Sequence, residues 1–402
     1  MAAISAERAD SLIRESARVL ETEDVPFREA YGRVLREPIR ADRDFPPFDR
    51  VIMDGIAVRG EDISRRIRAF RSVGTQRAGV EAAALKEPGT CFEVMTGAVL
   101  PVGSDTVIPV EKVDARGDVF KLEKGYEPVP GQFVHGQGSD KLRGDTLLEP
   151  GVLLGGKEIA VVATCGYTRV SVTVPLEITI VSTGDELVEV DQTPAPYQIR
   201  KSNAYALAAS CQALGYPVQT RLRHLPDDRV FIAAELPSLL EDADMVLFSG
   251  GISKGKYDFM EALLELAGVE RHFHWVRQRP GKPLWFGTSK RGTPVFALPG
   301  NPNSTLTCFY RYVTLMSDKM TGLSKCHERV ALLKSPFAFD KTLTLFLPAS
   351  LEYGPGGQLL VEPVPPQNSG DLTRLPQSDG FIELPEDKQV FPKGFSARFF
   401  PW

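Results

Sequence analysis

Between residues 176 and 313 the chain repeats one rhythm: a short apolar run, a glycine-bearing polar loop, then a helical pattern. "LEITIVSTGDEL" reads as a strand ending in a turn. "SNAYALAASCQALG" reads as a helix with Ser202 as N-cap and Gly215 just past its end. "PVQTRLR" is a strand, "PDD" opens a helix, "DMVLFSGG" is a strand and "DFMEALLELAG" a helix. "TPVFALPG" is a strand, and the helix after "NPNS" carries Leu306, Phe309 and Tyr310. Strands alternating with helices argue for a mainly parallel sheet covered on both faces. Ligands in such sheets bind beyond the carboxyl ends of the strands. Three polar loops, "STGDE", "SGGISKGKYD" and "LPGNPNS", are therefore expected to converge there.

The flanking segments read differently. Residues 5–21 place Ala9, Leu12, Ile13, Ala17 and Leu20 at helical spacing, and a second short helix is expected over 27–36. From Pro46 to about Asp140 short β runs are broken by turns ("VIMDGIAV", "CFEVMTG", "DTVIPVEKV", "DVFKLEK"), as in an all-β module. "GDTLLEPGVLLGGKEIAVVATCG" returns to a helix that closes at Gly166. After about residue 328 the chain is proline-rich and β-like ("RVALL", "TLTLFLPASLEY", "QLLVEPV", "GFIELP"), which suggests a small separate β domain.

The loops carry a consistent chemistry. Thr183, Ser249, Ser253, Asn301 and Ser304 supply neutral hydrogen-bonding groups, and Gly184, Gly250, Gly251, Gly255 and Gly300 permit close backbone approach. Lys254, Lys256, Arg279 and Lys282 can neutralise phosphate, the arginine bidentately. Asp185, Glu186, Asp227 and Asp258 can hold a hard cation such as Mg2+ through oxygen. Each loop alone has a plain reading as a tight turn or a helix start. The functional case rests on three of them at successive strand ends. No GxxxxGK[ST] or GxGxxG occurs, which disfavours Walker-type and Rossmann dinucleotide binding. The glycines alone would also suit a sugar-nucleotide enzyme, but no other residue pattern supports one.

Composition excludes several classes. A net charge of −5 argues against a general nucleic-acid or membrane surface. The five cysteines are far apart and include no CxxC, so neither a zinc ribbon nor a disulfide framework is expected. The five histidines form no recognisable metal pair, and no GxSxG supports a hydrolytic triad. "MAAISAERADSLIRESARVL" is charged throughout, and no stretch approaches the roughly 18 apolar residues of a membrane span. A cytoplasmic location is expected.

Taken in order, "DFPPFDRVIMDGIAVRG", "MTGAVLPVGSDTVIPVE", "GSDKLRGDTLLEPG", "STGDELVE", "QIRKSNAYALAA", "SGGISKGKYDF", "RPGKPLWFG" and "LPGNPNS" resemble the molybdopterin molybdenumtransferase family, which includes the E domain of gephyrin. The resemblance spans essentially the whole chain, to "QNSGDLTRLPQSDGFIEL". It implies a multidomain α/β protein in four parts. These are an N-terminal helical or mixed part (1–45 with 141–175), an inserted all-β module (46–140), a central molybdopterin-binding-like α/β domain (176–327) and a C-terminal β-barrel-like domain (328–402). It implies Mg2+-dependent insertion of molybdate into adenylylated molybdopterin, release of AMP, and a homodimer. The molybdopterin adenylyltransferase is a further implied partner.

By motif matching, Asp54, Thr96 and Asp140 would lie on the β-module side of the site, and Glu186, Asp227 and Asp258 on the α/β side. The last three are also the candidate metal ligands, and the two sides would come from opposite protomers. Thr183, Gly184, Asp185, Ser202, Asn203, Ser249, Gly250, Gly251, Ser253, Arg279, Lys282, Pro299, Gly300, Asn301, Pro302 and Ser304 would bind the cofactor precursor. The sequence departs from the family where Lys201 and Lys256 replace acids and where Trp275 and Arg279 stand at frequent lysine positions. Further departures are His135-Gly136-Gln137 for a basic run, Asn303 for a common valine, and Thr373-Arg374 for a serine pair. These changes would shift the pocket's charge, and would also suit a non-catalytic molybdopterin-binding paralogue or scaffold protein with the same fold.

Overall fold

The computed structural model describes residues 2–251, 260–324, 329–368 and 370–402. The chain divides into two compact units, Met1–Glu37 with Pro150–Ile159 and Arg169–Trp402, and Pro38–Glu149 with Ala160–Thr168.

The first unit is built on the alternating region. Its six strands are β1 (Leu176–Thr183), β2 (Val218–Leu225), β3 (Met245–Ser249), β4 (Glu270–Trp275), β5 (Pro283–Thr288) and β6 (Pro294–Leu298). They lie in the order β2-β1-β3-β6-β5-β4. The pairs β1/β2, β1/β3 and β3/β6 are parallel, whereas β5 is antiparallel to both neighbours. Only β5 therefore runs against the rest, and the β4–β5 connection emerges at the same sheet edge as the loops after β1, β3 and β6. Helices α1 (Asn203–Gln212), α2 (Arg229–Glu241) and α3 (Met260–Leu266) follow β1, β2 and β3, and α4 (Pro302–Cys308) follows β6.

Strand alternation sorts the side chains into two cores. Ile178, Ile180, Leu247 and Phe296 join Leu207 of α1, the N-terminal helix Ala6–Ser16 through Ala9 and Ile13, and Phe309 and Tyr312. On the opposite face Val181, Val246, Phe248 and Val295 pack on Ile232, Leu236 and Leu264 of α2 and α3. Beyond α4 the helix passes through a π segment, Phe309–Val313, and ends at Gly322 in the left-handed region.

The C-terminal region closes a five-stranded barrel from Arg329–Leu333, Thr344–Tyr353, Leu359–Pro363, Gly380–Leu384 and Ser396–Pro401. Leu345, Leu347 and Ile382 point into the barrel, while their neighbours Phe346 and Phe381 point out and join the α/β core. Arg311, 3% exposed, ties this junction together. It donates to Asp10 of the N-terminal helix at 2.6 Å and to Glu383 of the barrel at 2.8 Å. Two carboxylates offset the cost of burying one guanidinium.

The second unit is the β module. A six-stranded sheet contains Gly55–Val58, Ala69–Gln76, Thr90–Val94, Thr106–Pro109, Val113–Arg116 and Val119–Leu122. Ile56, Phe70 and Ile108 fill one face, and Ala57, Val94 and Val107 the other.

Two local expectations fail. No α-helix covers 27–36: only a 3-10 turn, Phe27–Glu29, occurs there. It follows a strand, Thr22–Pro26, that pairs antiparallel with Arg169–Thr173, and Val34 and Leu35 bridge to Leu153 and Val172. Long-range pairing takes the backbone donors that a helix would have used. The N-terminal helix stops at Ser16 because Ala17 is already extended.

Candidate functional site

Order 2-1-3 makes the gap between β1 and β3 a topological switch point, where the crossovers leave in opposite directions and open a crevice at the carboxyl ends. Thr183 ends β1, and Ser249 ends β3 ahead of Gly250-Gly251. A Cβ on Gly250 or Gly251 would lie 3.2 or 3.1 Å from Thr183 Oγ1, and both glycines have positive φ (101° and 71°). Glycine is what lets these two loops close on each other. Asn203, at the start of α1, locks the third loop to them: its Nδ2 donates to Ser249 Oγ at 3.0 Å and to the Gly300 carbonyl at 2.8 Å. Thr305 Oγ1 donates to the Pro299 carbonyl at 2.5 Å, which fixes the Pro299–Asn301 turn ahead of Pro302.

Carboxylates line the same edge. Asp185 Oδ1 accepts from the Asp227 backbone N–H at 3.1 Å, and Glu186 folds back beside Gly184. Asp228, not Asp227, caps α2 by accepting from Val230 and Phe231, which leaves the Asp227 carboxylate unused by the helix. Ser202 holds the N-cap position of α1 without a side-chain capping bond. Ser253, Lys254, Gly255, Lys256 and Asp258 lie outside the described residues.

Beside the crevice the β4–β5 connection and the barrel form a cleft of about 540 Å³. Arg279, Lys282, Pro299, Asn301 and Ser304 all line it, with Phe337, Phe339 and Phe346 of the C-terminal region and the 365–368 segment. Sequence reasoning missed what shapes this loop. Gln278, 1% exposed, donates through Nε2 to the Gly281 carbonyl at 2.9 Å, while Tyr312 donates to its Oε1. Gly281 has φ +79°, and a Cβ there would lie 2.4 Å from Cys308 Sγ. Between Arg277 and Arg279, Gln278 carries no signal in the sequence that would mark it as buried.

The departures resolve partly into pairs. Lys201 is buried against Glu189 at 2.6 Å, and Tyr205 donates to the same carboxylate at 3.1 Å. These contacts, Lys201 first, hold the Glu189 carboxyl below its ordinary range. The lysine thus brings its own counter-charge. Trp275 stacks on His274 with centroids 4.5 Å apart. Thr373 Oγ1 donates to Asp371 at 2.8 Å. Burial, then the neighbouring Lys201, lowers the pKa of His224, which contacts Ser182 Oγ at 3.2 Å. Burial pushes the Cys91, Cys211 and Cys308 thiols up to about 12, so none of the three is a thiolate at neutral pH.

In the β module, Asp54 Oδ1 accepts both the backbone N–H and the hydroxyl of Thr96, each at 2.7 Å. Those two bonds hold its carboxyl below the ordinary value. Asp54 also borders a cavity of about 230 Å³ with Thr75, Glu93 and Met95. Asp140 meets His135 Nε2 at 2.9 Å, and His135 Nδ1 lies 3.1 Å from Arg50 Nη2. The dipeptide strand Arg50–Val51 pairs with Val134–His135, and Arg50 also bridges to Val99.

Three family models match the chain. They are the MoeA N-terminal region (domain I and II) over 4–166, a probable molybdopterin binding domain over 179–318, and the MoeA C-terminal region (domain IV) over 330–402. A molybdopterin molybdenumtransferase of Synechocystis is 40% identical over 374 residues, covering 93% of each chain. One from Nostoc is 33% identical, covering 93% of this chain and 87% of its own. A solved molybdopterin biosynthesis moeA protein of Pyrococcus horikoshii is 30% identical with TM-score 0.79, covering 100% of this chain and 99% of that one. With sequence, fold and strand-end loops in agreement from the first helix to the barrel, the chain belongs to the molybdopterin molybdenumtransferase family.

Proposed function

We propose that the chain inserts molybdate into adenylylated molybdopterin and releases AMP, giving molybdenum cofactor. The observation that carries this reading is the convergence of three strand-end loops on one crevice, fastened by Asn203 and rimmed by carboxylates. Relatives that bear the enzyme's name over about nine-tenths of their length favour it over a non-catalytic binding protein. Exchange of a molybdate oxygen for dithiolene sulfur calls for orientation and protons rather than a strong nucleophile. In this reading Thr183, Ser249, Asn301 and Ser304, with Arg279 and Lys282, hold the pterin and phosphates. Asp185, Glu186 and Asp227 position the reacting groups and carry protons. Asp54, Asp140 and Thr96 act from the β module, supplied by the partner of a homodimer.

Mg2+ keeps several waters and takes one or two carboxylates together with substrate phosphates. The crevice acids suit that role. Among the described residues no group of three His, Cys, Asp or Glu could hold a metal alone, so phosphate oxygens and water would complete the shell. Bound there, the ion would neutralise phosphate charge. The proposal extends to cytoplasmic action and to receipt of the nucleotide from the molybdopterin adenylyltransferase. No helix among the described residues is long and apolar enough to cross a membrane.

A single-turnover reaction with adenylylated molybdopterin, Mg2+ and molybdate tests the reading. Molybdate-dependent AMP release supports it. Tight nucleotide binding with no release, with or without molybdate, would leave a binding protein instead.

A further inference from the structure

Asn303 sits in the first turn of α4, is 1% exposed and lines the 540 Å³ cleft. Thr307 Oγ1 donates to its Oδ1 at 3.4 Å, which orients the amide. Its Nδ2 is buried and has no hydrogen-bond partner among the described residues. Native interiors rarely leave such a donor unpaired, and an orphan beside a cleft is a group waiting for an acceptor. The rest of the lining says what that acceptor is. Arg279 and Lys282 bring two positive charges, and no aspartate or glutamate is among the lining residues. A cleft with fixed donors, two cations and no acid selects an oxygen-bearing anion.

We propose that Asn303 is a specificity-determining residue whose Nδ2 donates to an oxyanion group of the ligand held between Arg279 and Lys282. This rests on the insertase reading for the identity of the ligand, in which two such groups occur: molybdate itself and a phosphate of the nucleotide. Phe337, Phe339 and Phe346 form an apolar wall across the cleft, with Gln367 and Asn368 beside it, so the charged contacts come from the side that carries Arg279, Lys282 and Asn303.

The test uses the full-length protein and its Asn303→Val and Asn303→Asp variants. Valine removes an unpaired buried donor, so without ligand its thermal midpoint should equal or exceed the parent's. Aspartate keeps the shape and the Thr307 contact but turns the donor into a charge of the wrong sign. Molybdate alone and AMP alone are titrated calorimetrically into each protein. The expected result is a loss of about tenfold or more for one of the two anions in Asn303→Val, and a larger loss in Asn303→Asp. A loss confined to the molybdate arm assigns the donor to molybdate, and one confined to the AMP arm assigns it to phosphate.

Affinities for both anions within twofold of the parent in Asn303→Val would overturn the proposal. So would a lowered midpoint with parallel losses in both arms, or a parent that binds neither anion. AMP release by the parent is followed separately. No molybdate-dependent release, with the Asn303 effect on binding intact, would sink the insertase reading and spare this one. Normal release with unchanged binding would do the reverse.

Discussion

Asn203→Ala removes a side chain that bridges the end of β3 to the loop after β6. The two bonds are neutral, and each contributes about 0.5–1.5 kcal/mol net. Asn203 is only half-buried, so water recovers part of that, and about 1–2 kcal/mol is the expected loss. The strands themselves are held by their own ladders, so the cost falls on loop placement rather than on global unfolding. Ligand binding must then restore the crevice. The nucleotide's affinity should fall roughly 5- to 30-fold, since 1.4 kcal/mol is a factor of ten. Isothermal titration with AMP and with adenylylated molybdopterin measures it, and a denaturant melt should show little change. Asn203→Asp, which keeps the shape but has no donor, must behave no better than alanine. Alanine-variant affinity within twofold of the parent would show that this clamp does not set the crevice.

Three further perturbations follow from other contacts. Thr96→Val keeps the backbone bond to Asp54 but deletes the hydroxyl, so the Asp54 pKa should rise toward its ordinary value in a carboxylate NMR titration. Because that carboxyl titrates lower when folded, its stabilising contribution is complete above the ordinary carboxylate pKa and is lost as the pH falls through the folded value. The parent should therefore lose stability on acidification more steeply than Thr96→Val. Asp244 is the opposite case: burial raises its pKa, and Glu177 and Glu21 add to the shift. Its contribution is present below the unfolded pKa and lost as the pH rises through the folded one. Asp244→Asn keeps an acceptor for the Glu177 N–H and should raise the thermal midpoint at pH 7, with the gain vanishing below the carboxylate range. Gly281→Ala would drive a Cβ onto Cys308, with an expected cost of about 1–3 kcal/mol in a denaturant melt and weaker anion binding in the cleft.

Much of the α/β unit was legible because short apolar runs and helical patterns alternate cleanly from 176 to 313. The loops after β1, β3 and β6 could be placed at one edge by topology alone. What stayed hidden was non-local. The strand Thr22–Pro26 exists only because Arg169–Thr173 pairs with it, and no local pattern announces that partner. The reversal of β5, which brings Arg279 and Lys282 to the edge that carries the loops after β1, β3 and β6, depends on a short connection rather than on composition. Lys201 reads as an added charge until Glu189, twelve residues earlier, is seen to neutralise it. Gln278 is an unremarkable letter in the sequence, and Asn303 stands out there only as a departure from a common valine. Their meaning is set by burial and by which of their polar atoms find partners.

The most direct measurement is the molybdenum-to-pterin ratio of the product after a single turnover, for the parent and for Asp227→Asn. Metal is counted by inductively coupled plasma mass spectrometry and pterin by fluorescence after oxidation. The account predicts a ratio near one for the parent, with matching AMP release, and a ratio near zero for the variant over the same interval. Pterin recovered bound, adenylylated and free of molybdenum from the parent would contradict it.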